Sequence, residues 1–425
     1  MTAGFETAIV LESENKLTNL QVSTTKDIFP PDLARVNIGM AITLAFSYGL
    51  QMYVPVPAFH SIGSTFSLSL SQLSLLVASF FVGYAVAHIP AGFAVAAYGY
   101  KRVAITGSAL FAISTALFAV SNHFGLLLAS RLLGGIAMSI TLAAVIPLAA
   151  GWARPNKVRI IVGGYVNGFG FTAGAAIGLY AWTYLTEALG WRVAVGIAAV
   201  FGLAVTALAA VLVTNPSHVD HEEFSWSSTV RCLRMKPLWT IGIAAVGIYG
   251  LMATASQLAP EYAVSNLELS VTSAGLLSAI MLAAGIPGAL IGGFFADRAR
   301  RYLLTVAVPA AIAVACMAVA PFAGPVLFGA LLTVIGFMTM AAFAPVTAVP
   351  SEYPGEISPR DYGTAMGLVL TLGNVGAILL PYIYGTAAEQ FNTTAGWLTL
   401  AIVAGVSCCA LLITQEPRTD RPESV

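Results

Sequence analysis

Long apolar runs alternate with short polar interruptions along almost the whole chain. Twelve runs can be counted, at about 36–58, 72–97, 102–121, 124–152, 159–186, 191–213, 238–263, 271–296, 302–321, 325–350, 361–387 and 395–414. Each is close to the ~20 residues that carry an α-helix across the hydrocarbon core of a bilayer. The pattern therefore predicts an all-α integral membrane protein with twelve transmembrane helices. One internal polar stretch, Thr214 to Pro237, is much longer than the others and splits the runs six plus six. The expected organisation is a tail at 1–35, a six-helix bundle at 36–213, a central loop at 214–237, a second six-helix bundle at 238–414 and a tail at 415–425.

Composition sharpens this reading. Of the 425 residues, 58% are hydrophobic and only 9% are charged, against roughly 25% charged in a soluble domain. A water-soluble fold cannot bury that much apolar surface, so lipid must be part of the solvent. The formal net charge is zero, which gives no attraction to nucleic acid. Cys316, Cys408 and Cys409 fall inside apolar runs and Cys232 in the central loop, a spacing that fits neither a disulfide framework nor a metal site. Met1 to Asp32 is polar and acid-rich with no signal-peptide core, and is expected to be disordered.

Charge placement gives the orientation. When the segments outside the membrane are numbered alternately, one set holds 17 Lys and Arg residues and the other holds only Arg192. Basic residues collect on the cytoplasmic side, so both termini and the central loop are expected there, in the cell membrane. The remaining basic residue, Arg131, lies inside the fourth run.

The chain also repeats itself. At an offset of 201 residues, 12 of the 55 positions from Tyr48 to Arg102 are identical, where composition alone would give about five. Tyr48-Gly49-Leu50 matches Tyr249-Gly250-Leu251, and Gly135 and Arg159 pair with Gly336 and Arg360. A repeat of half the chain is what transporters built from two similar halves display.

The second copy carries Gly293-x-x-x-Asp297-Arg298-x-x-Arg301, which resembles the loop signature of the major facilitator superfamily, with Arg300 where a second Gly is usual. The first copy keeps Gly92, Gly99 and Arg102 but has Ala96 where the acid belongs. Arg131-Leu132-Leu133-Gly134-Gly135 is similar to that family's Arg-x-x-x-Gly element, and Gly190-Trp191-Arg192 is family-like too. The resemblance implies two six-helix bundles around one central site, lined by helices one, four, seven and ten. It also implies a conformational latch made by Gly92, Gly99, Arg102, Gly293, Asp297, Arg298 and Arg301, with Asp297 facing the start of helix five near Arg154 and Arg159. Gly170, Gly174 and Gly178 resemble the family's antiporter element on helix five, although Ala175 stands where that element has Pro.

Residue chemistry narrows the candidates. A charge inside a membrane run is costly unless paired or hydrated and suggests function by default. Arg131 is such a charge, about 10 Å along its helix from one end. It either contacts substrate or governs coupling, or it braces a neighbouring helix. Glu261 and its repeat partner His60 lie near the end of helices seven and one, where an acid and an imidazole could exchange protons or simply be solvated. Ser47 and Gln51 recur with Thr43 on one face of helix one, beside Tyr48, and Gln257 and Glu261 recur with Thr254 on helix seven. These stripes are either cavity walls or inter-helix seams. His88 on helix two, Asn167 on helix five and Asn374 on helix eleven complete the list.

No nucleotide loop, metal cluster or nucleophile constellation is present in the sequence, so the expected protein is not an enzyme and uses no cofactor; an ion gradient, of protons in the first instance, drives it. The leading expectation is a monomeric secondary active transporter in a lipid bilayer. It would move a small organic or inorganic anion by alternating access, with possible proton symport. The alternatives are proton-coupled efflux of apolar drug-like compounds and a transporter-like sensor that binds without translocating. The topology is directly testable: reporters fused after Asp220 and after Val425 should both report the cytoplasm, and an opposite signal from either would overturn the helix count.

Overall fold

The computed structural model describes residues 31–154, 157–216, 226–299, 301–353, 357 and 362–416. Among them, twelve helices are long and apolar enough to cross a membrane. Helix α1 spans Pro31–Tyr53 and continues through short turns Val56–Ala58 and Phe59–Phe66. Leu70–Ala119 holds α2 and α3, parted at Gly99, whose φ of 78° only glycine adopts without strain. Then come α4 (Phe124–Trp152), α5 (from Arg159 to Leu189) and α6 (Trp191–Leu212). In the central loop lies a short helix, Trp226–Leu233. The second half comprises α7 (Lys236–Leu267), α8 (Val271–Arg298), α9 (Tyr302–Val319), α10 (Pro325–Glu352), α11 (Tyr362–Gln390) and α12 (Thr393–Cys408). The start of α1 and the end of α12 lie on one face, called the terminal face; the opposite side is the far face. Large apolar side chains such as Val86, Leu290, Val211 and Val326 stay exposed on the bundle surface, as a lipid solvent allows.

Far-face turns are short and capped. Ser69 and Gln72 form a reciprocal capping box at the start of α2. Ser270 caps α8, Asn392 caps α12 and the His123 ring caps α4. These caps satisfy N–H groups that would otherwise be orphaned near the edge of the hydrocarbon.

The repeat survives at atomic detail. Ser67 and Glu268, 201 apart, both end a helix in the left-handed conformation, with φ of 52° and 54°. Gly135 presses against the Phe80 carbonyl and Gly336 against the Met281 carbonyl, so that any Cβ there would overlap the oxygen. At the terminal face, the end of α6 clasps its own half: Thr214 bonds Asn37 of α1, its carbonyl accepts from Trp152 of α4, and Asn215 Oδ1 accepts from Lys101 N of α3. The end of α12 repeats all three contacts: Thr414 with Thr240, the Gln415 carbonyl with Tyr353, and Glu416 Oε1 with Leu303 N.

Two features of the loops and helices go beyond the sequence reading. Gly92 and Gly293 lie inside helices with open space where a Cβ would be. The turn in the first loop is made by Gly99 instead. Helix α5 is not plainly α-helical: Arg159–Phe171 and Ile177–Ala181 are wound as π-helix, a form that clusters at functional positions.

The close approaches set a stability test. Gly135→Leu and Gly336→Leu should each lower the melting temperature in detergent, because overpacking costs about 1–3 kcal/mol or more. Gly293→Ala should leave it unchanged. Equal melting of all three would mean that the α2–α4 and α8–α10 seams are not close-packed.

Candidate functional site

The site is built around a charge that lipid cannot solvate. Arg131 is 4% exposed. Its guanidinium donates Nε to the Leu76 carbonyl of α2 at 3.1 Å, Nη1 to the Met52 carbonyl of α1 at 3.2 Å and Nη2 to Gln257 Oε1 of α7 at 3.1 Å. Its Cζ lies 4.5 Å from the centre of the Phe80 ring, a cation–π contact. Met52 is free to accept because α1 stops at Tyr53 and Val56, whose N–H would be its α-helical donor, already belongs to the next turn. Every oxygen that Arg131 meets is neutral, and no carboxylate stands within ion-pair distance of it among the described residues.

Donors are left over. Arg carries five N–H groups, and these contacts use three of them. The Gln257 amide nitrogen is fully buried with no hydrogen-bond partner. Leaving such a donor unpaired costs about 1–3 kcal/mol, so the centre is short of acceptors.

The Arg131–Gln257 bond also joins the two halves. Beside it, Tyr53 and Ser256 share a 3.2 Å hydrogen bond, and farther toward the far face His60 Nδ1 lies 3.2 Å from Glu261 Oε1. Thr272 of α8 donates to Glu187 at the end of α5 at 3.1 Å. Gly385 of α11 packs against Ser74 of α2, and Gly275 of α8 against the Leu179 carbonyl of α5. All these inter-half contacts lie in the middle or toward the far face. At the terminal-face ends of α1, α5 and α11, Gly39, Gly163 and Gly367 meet nothing within 4 Å of an added Cβ. The halves are thus closed on the far face.

One or two turns from Arg131 toward the terminal face lies a tier of hydroxyl and imidazole groups. Tyr84 is within electrostatic reach of Tyr48 and of its repeat partner Tyr249. The His88 ring lies 5.3 Å from Tyr84, and its Nδ1 is 3.2 Å from Ser139 Oγ of α4. Tyr84, His88 and Tyr249 are half-buried.

Sequence reading found Arg131, Gln257, Tyr48 and His88, and the structure gathers them. It missed Phe80, Tyr53, Ser256 and Tyr249 as members; the repeat match of Tyr48 with Tyr249 was the available signal. Ser47 and Gln51 go elsewhere. Gln51 donates to Ser47 Oγ at 3.0 Å and accepts from Thr115 of α3 at 3.0 Å, and Gly202 of α6 makes room for its amide. Of the two readings, these residues take the seam. Asn374 is buried and Asn167 half-buried; neither hydrogen-bonds to Arg131, Tyr53 or Gln257. Glycines 170, 174 and 178 set α5 directly on the Ile42, Phe46 and Leu50 carbonyls of α1, which fixes α1 beneath the site.

The latch is only partly visible. The side chains of Asp297 and Arg159, and Arg300 altogether, lie outside the described residues. Arg298 folds back on its own helix, 3.7 Å over the Phe294 ring, and Arg102 is exposed. Arg301 precedes α9 as its N-cap residue.

Comparison with known proteins converges on one family. Probable anion transporter 5 of Arabidopsis thaliana is 23% identical over 385 residues, covering 80% of this chain and 85% of that protein. The quinolone resistance protein NorA of Staphylococcus aureus is 22% identical over 376 residues, covering 84% and 91%. A crystal structure of a bacterial homologue of the human lysosomal transporter Spinster, inward-facing and unoccupied, superposes with a TM-score of 0.74 at 15% identity, covering 91% of this chain and 96% of that one. The family model described as Major Facilitator Superfamily matches residues 41–358. With twelve spans, a two-half repeat and a buried arginine at the centre, this chain belongs to the Major Facilitator Superfamily of secondary transporters.

Proposed function

We propose that the chain moves a small organic or inorganic anion by alternating access, with its termini in the cytoplasm of a cell-membrane orientation and the present structure facing inward. The observation that carries the reading is the acceptor shortage at the centre: a guanidinium with unspent donors and, among the described residues, no carboxylate beside it, next to an unpartnered Gln257 amide. An anion supplies the missing charge and the missing oxygens together. Arg131 presents a planar fork suited to a carboxylate or an oxyanion. When the halves part at the far face, Gln257 moves away with α7, and the anion takes its place on Arg131. The tier of Tyr48, Tyr84, Tyr249 and His88 then offers hydroxyl and imidazole contacts along the exit toward the terminal face. Similarity to a protein named as an anion transporter supports this choice.

A second reading rests on the likeness to NorA and on the glycine seam of α5. It predicts proton-driven export of apolar compounds, and Arg131 then acts through packing or coupling alone.

Uptake separates the possibilities. In proteoliposomes, Arg131→Ala should cut concentrative anion uptake at least ~10-fold, and Arg131→Lys should be severely impaired, since Lys is a point charge without the fork. Both variants should remain folded and monodisperse. If Arg131 only braced its neighbours, Arg131→Ala would lose ~1–3 kcal/mol of stability while surviving protein transported normally. Initial rates normalised to folded protein, read beside melting temperatures, decide. Binding without any uptake would instead mark a sensor.

A further inference from the structure

A second cavity lies on the far face, separate from the Arg131 centre. It has a volume of about 420 Å³ and is walled by both halves: His60 and Leu73 from the first, Glu261, Tyr262, Asn266 and Tyr384 from the second. That volume lies in the range of small-molecule sites, roughly 300–1,000 Å³. It is far larger than a bare ion needs.

Its chemistry is one-sided. Glu261 is 12% exposed at its side chain. Its Oε1 accepts from Ser265 at 2.6 Å and faces His60 Nδ1 at 3.2 Å, but its Oε2 is buried without a hydrogen-bond partner. Asn266 is already committed to Thr393 at 3.0 Å. Tyr262 donates its hydroxyl to the Pro321 carbonyl, and Tyr384 packs on Trp397 at 4.6 Å. The pocket therefore combines tyrosine rings and leucine walls with a bordering carboxylate, one of whose oxygens lacks a donor and is shielded from solvent in this conformation. A metal is not the match: a hard cation takes several oxygen ligands, and no cluster of metal-ligating side chains exists among the described residues. An ammonium group on an apolar or aromatic body is the match. Its N–H groups meet Glu261 once the carboxylate turns its unpartnered oxygen toward the cavity, and the rings favour the cation.

The walls exist together only while the far face is closed. Parting the halves separates His60 from Glu261 and dismantles the cavity. A ligand held there binds one conformation and not the other, so it shifts the population toward that conformation. We infer that this pocket is a regulatory site for an amphipathic organic amine, whose occupancy holds the two halves closed on the far face and slows exchange. The site lies on the far-face side of the Arg131 centre, at the junction that must part before an anion can enter, and its amine chemistry does not depend on which solute is carried.

The test uses the full chain in nanodiscs, with tryptamine as the amine and tryptophol as its neutral counterpart. Spin labels go at Leu189→Cys and Phe391→Cys, exposed positions at the far-face ends of α5 and α11, after Cys232, Cys316, Cys408 and Cys409 are changed to Ser. Tryptamine at millimolar concentration should raise the melting temperature saturably and enrich the short inter-label distance; tryptophol should do neither. Glu261→Gln should weaken the amine response at least ~10-fold. Ser64→Trp, which fills the mouth of the cavity from an exposed position, should abolish the response while leaving the carboxylate in place. A saturable response shared by the alcohol, one retained in both variants, no response to the amine, or a lengthened distance would each overturn the proposal. So would Glu261-dependent accumulation of tryptamine inside proteoliposomes, because the amine would then be cargo.

Discussion

Hydrocarbon offers no hydrogen bonds, so a polar atom inside this bundle either finds its partner within the protein or stays unpaired at a cost. Most find one trivially, inside a helix. Arg131 cannot, because its donors point sideways. It draws oxygens from three other helices, and to do so the chain stops α1 at Tyr53, brings Leu76 of α2 alongside and reaches Gln257 across the boundary between halves. Glycines make that convergence possible: Gly135 lets α4 touch α2 just beyond Arg131, and the α5 glycines seat α1. The location of the charge and the backbone contacts around it form a single arrangement.

The two halves share a plan but not a function. Gly135 and Gly336, Ser67 and Glu268, and the α6 and α12 clasps are near copies. The residue 201 beyond Arg131 is Leu332, fully buried in an apolar core. Two guanidinia at equivalent positions would repel across a dry centre. With one half charged and the other offering a neutral amide, the halves attract weakly, and the guanidinium keeps no counter-charge among the described residues.

Much of this was legible because lipid makes sequence signals blunt. Run length and the placement of Lys and Arg report the twelve helices, and a lone Arg in an apolar run stands out for its cost. What was not legible depends on rotation and on partners far along the chain. Helical spacing put Gln51 and Gln257 in equivalent stripes, yet the seam with Thr115 takes the first and Arg131 takes the second. A period of 3.6 says which residues share a face, not what that face meets. The role of the loop glycines was not legible for a related reason: Gly92 and Gly293 match a motif, but in this conformation an added Cβ would meet nothing within 4 Å, and a sequence carries no label for the state in which a residue is used. The π-helical winding of α5 left no periodic trace, since its glycine-rich run fits either helix.

The distribution of contacts argues for where the molecule gives way. Within each half, backbones touch at glycine, and hydrogen bonds at the terminal face tie the end of the last helix to α1, α3 and α4 or to α7, α9 and α10. Separating those helices would empty close-packed seams. Between the halves the described hydrogen bonds are Tyr53–Ser256, Arg131–Gln257, His60–Glu261 and Thr272–Glu187. Each is worth about 0.5–1.5 kcal/mol net, somewhat more where a charge takes part, and each can be replaced by water or by a ligand once the far face opens. The softest deformation is therefore the parting of two stiff halves. Arg131 stands on that boundary, and opening it there breaks the bond to Gln257, which leaves a buried donor unpaired unless another acceptor arrives.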